Sequence, residues 1–199
     1  MDMSTVTGEQ LPVEDRKDFR NWYVLYTYSG LEEKIKSSIE KLFGDRYELY
    51  LPRRELFHTI NGEHRKIVRA LFPGYLFIHK KIDEFILDIR KHGICRHLSA
   101  VRQNFVPAMV CENQMEFLMK ISGPDGLVTI SEGILKQNRS VEIVSGPLKN
   151  LTGRILFINA RKRKAKIRVR MLNREVQLTL GLEVLNHSGG QNEGKQRMV

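Results

Sequence analysis

Apolar and polar positions repeat at two different periods along this chain, and the changes of period mark its elements. Trp22–Tyr28 (WYVLYTY) is a run of aromatic and β-branched residues that predicts a strand buried on at least one face. Directly after it, Leu31, Ile35, Ile39 and Leu42 recur at helical spacing. Ser29 and Glu32 form the S-x-x-E pattern of a capping box at the start of that helix, and Gly44 stands where a left-handed glycine ends one. Tyr47–Leu51 predicts a short strand stopped by Pro52, and Asn61-Gly62, between Glu55–Ile60 and His64–Ala70, is the residue pair of a type I′ hairpin. Tyr75–His79 predicts a further buried strand. Asp83–His92 predicts a helix with acids in its first turn and bases in its last, Ile94–Leu98 a short strand, and Glu112–Ile121 a third helix with Met115, Leu118 and Met119 toward the core. Hairpins mixed with crossovers predict an α+β domain over residues 20–122, an antiparallel sheet flanked by helices.

Gly123-Pro124-Asp125-Gly126 opens a stretch without periodicity, so residues 123–140 read as a linker. Beyond it, short strands alternate with turn signals: Val141–Val144, Gly153–Asn159, Ala165–Leu172, Glu175–Thr179 and Glu183–Leu185. They predict a small five-stranded all-β barrel over residues 141–187. Within it, Lys164, Lys166, Arg168 and Arg170 alternate with Ala165, Ile167, Val169 and Met171. Period-two alternation sends the apolar set inward and the four cations to one outer face, about 6.6–7 Å apart, close to the spacing of backbone phosphates. The tails, residues 1–19 and 188–199, carry no such pattern and are expected to be poorly ordered.

Charge sharpens this division. The 199 residues hold 33 Lys plus Arg against 23 Asp plus Glu, a net charge of +10, which points to a polyanionic partner. The excess is uneven: residues 140–187 carry ten basic and three acidic side chains, and the segment Arg161–Arg174 holds eight basic residues and no acid. A hydrophobic fraction of 41% suffices for a packed core. Two cysteines, Cys95 and Cys111, provide no disulfide framework, and with His92 and His97 they lack the spacing of a structural metal site. No apolar run is long enough to span a bilayer and residues 1–19 have no apolar signal core, so a cytoplasmic protein without membrane contact is expected. A phosphate-binding glycine loop, an HExxH pair and a nucleophile elbow are all missing, so no enzymatic chemistry and no cofactor are expected.

Several separated motifs resemble the NusG/Spt5 family of transcription elongation factors. They are Trp22-Tyr23-Val24 opening a strand, the helix after it, Phe72-Pro73-Gly74-Tyr75-Leu76-Phe77, and the series Val141, Val144, Gly146, Pro147, Leu148, Leu151 and Gly153. The resemblance spans residues 21–186 and implies an NGN domain followed by a KOW module. It further implies that the first domain binds RNA polymerase at the clamp helices of the largest subunit, with Tyr26, Phe72, Pro73, Tyr75 and Phe77 at the matching positions. Aromatic anchors suit such an interface, and burial in the core is the competing reading for each ring.

The basic second domain looks most like that of a specialised paralogue of the LoaP type, an antiterminator that recognises an RNA hairpin in a nascent leader transcript. The RfaH type stores this domain as a helical hairpin, against which the period-two alternation here argues. The residues expected to supply RNA contacts are Lys149, Asn150, Arg154, Arg161, Lys162, Arg163, Lys164, Lys166, Arg168, Arg170 and Arg174. Arg65, Lys66 and Arg69 are candidates for upstream DNA, with a solvated hairpin face as the alternative. A monomer is expected. Two other readings stay open: a housekeeping NusG whose KOW module recruits proteins, and a ribosome- or mRNA-associated KOW protein without a polymerase contact.

Overall fold

The computed structural model describes residues 18–185, except Pro124, Arg139 and the side chain of Cys95. In chain order its elements are β1 (Trp22–Thr27), α1 (Glu32–Phe43), β2 (Glu48–Tyr50), β3 (Arg53–Ile60), β4 (Glu63–Ala70), β5 (Tyr75–His79), α2 (Ile82–Lys91), β6 (Leu98–Ala100), β7 (Arg102–Gln103), β8 (Val106–Pro107), β9 (Met109–Val110), α3 (Glu112–Ser122), β10 (Leu127–Val128), β11 (Ser131–Leu135), β12 (Val141–Ser145), β13 (Ile155–Asn159), β14 (Lys164–Met171) and β15 (Arg174–Leu185).

The N-terminal unit is built on an antiparallel sheet in the order β2-β5-β1-β6, to which β9 adds beside β1. Alternation along β1 and β5 gives that sheet two apolar faces. Leu25, Leu76 and Ile78 pack against Ile35 and Ile39 of α1 and Phe85 and Ile89 of α2, while Trp22, Val24 and Phe77 turn to the other face, toward Met115 and Leu118 of α3. The expected α+β arrangement of sheet and helices is therefore present. The β3–β4 hairpin stands beside it and turns at Asn61 and Gly62, both with positive φ (52° and 83°), as a type I′ turn requires.

Several expectations change. The helix after β1 begins at Glu32 and has no side-chain cap. Glu32 instead accepts from the N–H groups of Gly30 (2.8 Å) and Gly74 (2.6 Å), so the expected capping box is replaced by a buried carboxylate that ties the start of α1 to the Phe72-Pro73-Gly74 turn. Ile94–Arg96 is a 3₁₀ turn, and the strand expected there begins only at Leu98. Of the tail expected over residues 1–19, residues 1–17 lie outside the described residues, whereas Asp18 is anchored: its carboxylate meets Lys80 at 2.9 Å and its carbonyl accepts from Trp22 Nε1 at 3.0 Å. The tail expected over 188–199 lies outside the described residues.

The stretch 123–140, expected as a linker, contains two strands. β10 pairs in parallel with β3, and β11 sits in the middle of the second sheet, between β12 and β15. That sheet has the order β12-β11-β15-β14-β13 and curls on itself. Among the described residues its edge strands β12 and β13 do not pair, so the expected closed barrel is an open one, spanned by the 3₁₀ segment Pro147–Arg154 whose Leu148 and Leu151 plug the core. The strands expected at Glu175–Thr179 and Glu183–Leu185 are one continuous β15, long enough to pair first with β14 and then with β11. Gly146 lets the 3₁₀ segment enter: with φ +81° its absent Cβ would lie 2.6 Å from Cα of Ser131.

Candidate nucleic-acid interface and aromatic face

The aromatic face grows out of the register between β1 and β5. Antiparallel pairing sets Trp22 opposite His79, Val24 opposite Phe77 and Tyr26 opposite Tyr75, all on one side of the sheet. Trp22 stacks on His79 with centroids 4.8 Å apart, and Tyr26 meets Tyr75 edge to face at 5.6 Å. The Phe72-Pro73-Gly74 turn leads into β5 and places the Phe72 ring edge-on to Phe77 at 6.0 Å. Gly74 at φ +85° brings the turn against β1, where a Cβ would fall 2.9 Å from the Thr27 carbonyl.

Burial divides the five aromatic-face candidates. Tyr26 (46% exposed), Tyr75 (37%) and Pro73 are accessible, whereas Phe72 (8%) and Phe77 (2%) are core residues. They belong to a cluster that also holds Met171 and Val176 of the second sheet. The β14–β15 hairpin of the curled sheet therefore seats on this face, leaving a cleft of about 540 Å³ lined by Val24, Phe72, Tyr75, Phe77, Met171 and Val176. Further contacts fix the seat. Arg54 donates to the Thr179 carbonyl (2.7 Å), burial pushing its pKa down, and Gln114 Oε1 accepts from the Leu172 N–H (3.2 Å).

On the second sheet, β14 carries the expected alternation. Ala165, Ile167, Val169 and Met171 are buried, Lys166, Arg168 and Arg170 are exposed, and Lys164 is half-buried at the strand's start. Arg161 and Lys162 extend the strip into the β13–β14 turn, both exposed, whereas Arg174, also exposed, pairs with Met171 and so lies on the other face of the sheet from Lys166, Arg168 and Arg170. Over eight residues the strand runs about 24–27 Å, so its ends are distinct environments. Arg174 lines the same cleft as Tyr75, and Arg168 and Arg170 line a shallow depression of about 390 Å³ with Leu156 and Glu175. The one acid there, Glu175, lies 3.8 Å from Arg168, a long and exposed pair.

Other candidates in the basic pool are engaged with the first unit. The Arg163 guanidinium lies 4.8 Å above the Phe57 ring and 3.3 Å from Glu183, and Arg154 lies 4.3 Å above the Phe117 ring of α3. These are cation–π contacts that hold the two units together. Lys149 and Asn150 are exposed on the 3₁₀ segment, Asn150 beside Phe117 and Arg154. Arg65, Lys66 and Arg69 are exposed on β4, and His58 and His64 on the hairpin are exposed as well. Among the described residues no three His, Cys, Asp or Glu side chains gather as a metal site, and no helix is long and apolar enough to cross a membrane.

Two residues beside the strip carried no signal in the sequence. β13 and β14 slip register between Ile155 and Phe157, a bulge at Leu156 that leaves both Leu156 and Phe157 exposed. In the uniformly apolar run Ile155-Leu156-Phe157-Ile158 nothing distinguishes inward from outward positions.

Residues 20–119 match the family model described as "NusG: Transcription termination factor nusG". Over 169 residues the chain is 28% identical to the transcription termination/antitermination protein NusG of Bacillus subtilis (strain 168), covering 81% of this chain and 94% of that protein. Over 178 residues it is 29% identical to the protein of the same name from Thermus thermophilus, covering 80% and 94%. A solved structure described as "Domain interaction in Thermotoga maritima NusG" matches with a TM-score of 0.48 and 22% identity over 81% of this chain and 93% of that one.

Proposed function

The chain belongs to the NusG family, and from that premise we propose that it is a specialised transcription elongation and antitermination factor. Its first unit, the NGN domain, sits on the clamp helices of RNA polymerase. Its second, the KOW module, captures a structured hairpin in the nascent leader transcript, and the complex suppresses pausing and termination. The observation that carries the RNA half is β14, a strand with three exposed cations at alternate positions and no acid of its own. Phosphates are neutralised by such a row, while a loop or bulge supplies the specificity that an A-form stem withholds.

The RNA surface is narrower than composition suggested. Lys166, Arg168 and Arg170, extended by Arg161 and Lys162, form the strip, and Arg174 lies apart from it, at the cleft beside Tyr75. Lys164 flanks it, Lys149 and Asn150 lie on a separate segment, and Arg154 and Arg163 serve mainly the junction with the first unit. For polymerase, Tyr26, Pro73 and Tyr75 are the accessible contacts, and Phe72 and Phe77 join them only when the curled sheet leaves the aromatic face.

Tyr26→Ala together with Tyr75→Ala tests the polymerase half. Both rings are partly exposed, so the variant should remain folded, while the polymerase co-purifying with the full chain falls about tenfold or more, as loss of aromatic anchors does. Undiminished recovery would move the contact elsewhere, and recovery of ribosomal proteins in place of polymerase would favour the ribosome-associated reading.

A further inference from the structure

The bulge between Ile155 and Phe157 puts two large apolar side chains on the cationic face of β14. In a regular strand Leu156 and Phe157 would point to opposite faces, and one of them would enter the core. Here Phe157 is 54% exposed and Leu156 39% exposed. Register places Phe157 beside Lys166, and Lys166 and Arg168 are in turn beside Thr179 and Gln177 of β15. The face thus presents a flat aromatic ring next to a row of cations. Glu175 of β15, opposite Arg170 and 3.8 Å from Arg168, lines the depression beside Leu156 and offsets part of that charge.

That combination matches the chemistry of an unpaired nucleotide. A phosphate needs the cations, and an exposed base needs a planar apolar partner on which to stack. A continuous duplex offers the phosphates and keeps its base faces buried in its own stack. The depression between Leu156, Arg168 and Arg170, about 390 Å³, gives a base room beside the strip. We infer that Leu156 and Phe157 form a base-stacking platform, so that the RNA meeting this face is single-stranded at β13: a loop, a bulge or an unpaired flank. The inference rests on the RNA-binding reading of β14 and adds to it the form of RNA that is read.

The test uses the full chain and two probes, a uridine-rich RNA of about a dozen nucleotides carrying one 2-aminopurine, and a fully paired RNA duplex of the same length. The wild type should bind the single strand and quench its 2-aminopurine. Phe157→Ala should lower that affinity about fivefold or more and abolish the quenching. Its salt dependence should be unchanged, because no phosphate contact is removed. Duplex binding should be unaffected by the substitution. Phe157→Tyr should keep both affinity and quenching, which a merely structural loss would not reproduce. RNA binding that is indifferent to Phe157→Ala, or that prefers duplex, overturns the platform and leaves the cation strip standing. Failure of the wild type to bind either probe also overturns the platform, while the RNA-binding reading of β14 stands or falls separately, with binding to a stem–loop RNA.

Discussion

Phe77→Ala is expected to cost about 3–5 kcal/mol of folding stability, the usual range for removing a buried phenylalanine. The ring is almost wholly buried, edge-on to Phe72 and tilted against Tyr50, in the cluster through which the curled sheet joins the first unit. Truncation removes its own burial and opens a cavity on both sides of that junction. For a chain of this size the thermal midpoint should drop by about 6–20 °C. Thermal or urea unfolding of the full chain measures it, and a loss below about 1 kcal/mol would place Phe77 at the surface instead. Failure of this variant to bind polymerase would not separate lost structure from a lost contact, whereas the same failure in the Tyr26 and Tyr75 variant reports a lost contact, since both rings are partly exposed.

The second large effect is electrostatic. Replacing Lys166, Arg168 and Arg170 together by alanine leaves the fold intact, since all three side chains are exposed and the one ion pair lost, Arg168 with Glu175, is long and solvated. Affinity for a stem–loop RNA should fall about 100- to 1,000-fold near 0.1 M salt, and the slope of log affinity against log salt should shrink by about 2–3. A wild type neutralising about four phosphates would have a slope near −3 to −4, leaving about −1 in the variant. The matched control replaces Arg65, Lys66 and Arg69 on β4, removing the same net charge from another exposed surface. Its slope should stay close to that of the wild type. Equal losses in both triple variants would reduce the strip to a general effect of net charge.

Local chemistry made much of this fold readable and tertiary context made the rest unreadable. β14 was legible because alternation over eight residues admits one face assignment, and the Asn61-Gly62 turn because two successive positive φ values restrict which residues fit. β11 was not. Its sequence SEGIL has a glycine at the centre and no clear period. It is a strand because β12 and β15 pair with it on both sides, and Gly133 permits the approach: a Cβ there would lie 2.7 Å from Val141 Cγ1. The S-x-x-E pattern misled because Glu32 found a partner 42 residues away in Gly74.

The functional residues divide for the same reason. Which cations belong to the strip followed from sequence, but Arg154 and Arg163 are drawn off by Phe117 and Phe57, rings on distant elements. Phe72 and Phe77 have the composition of an interface and are buried in a cluster that joins Trp22, Val24 and α3 of the first unit to the second sheet. Phe157 reaches the surface through a register slip that no local rule announces.

A NusG-family chain that reads leader RNA with β14 should be found on that RNA in cells. Sequencing the RNA crosslinked to the full chain in cells tests it most directly. Reads should concentrate in the leaders of a few long transcripts, at a recurring stem–loop, and be lost when Lys166, Arg168 and Arg170 are replaced. Reads spread in proportion to transcript abundance, or confined to ribosomal RNA, would contradict it.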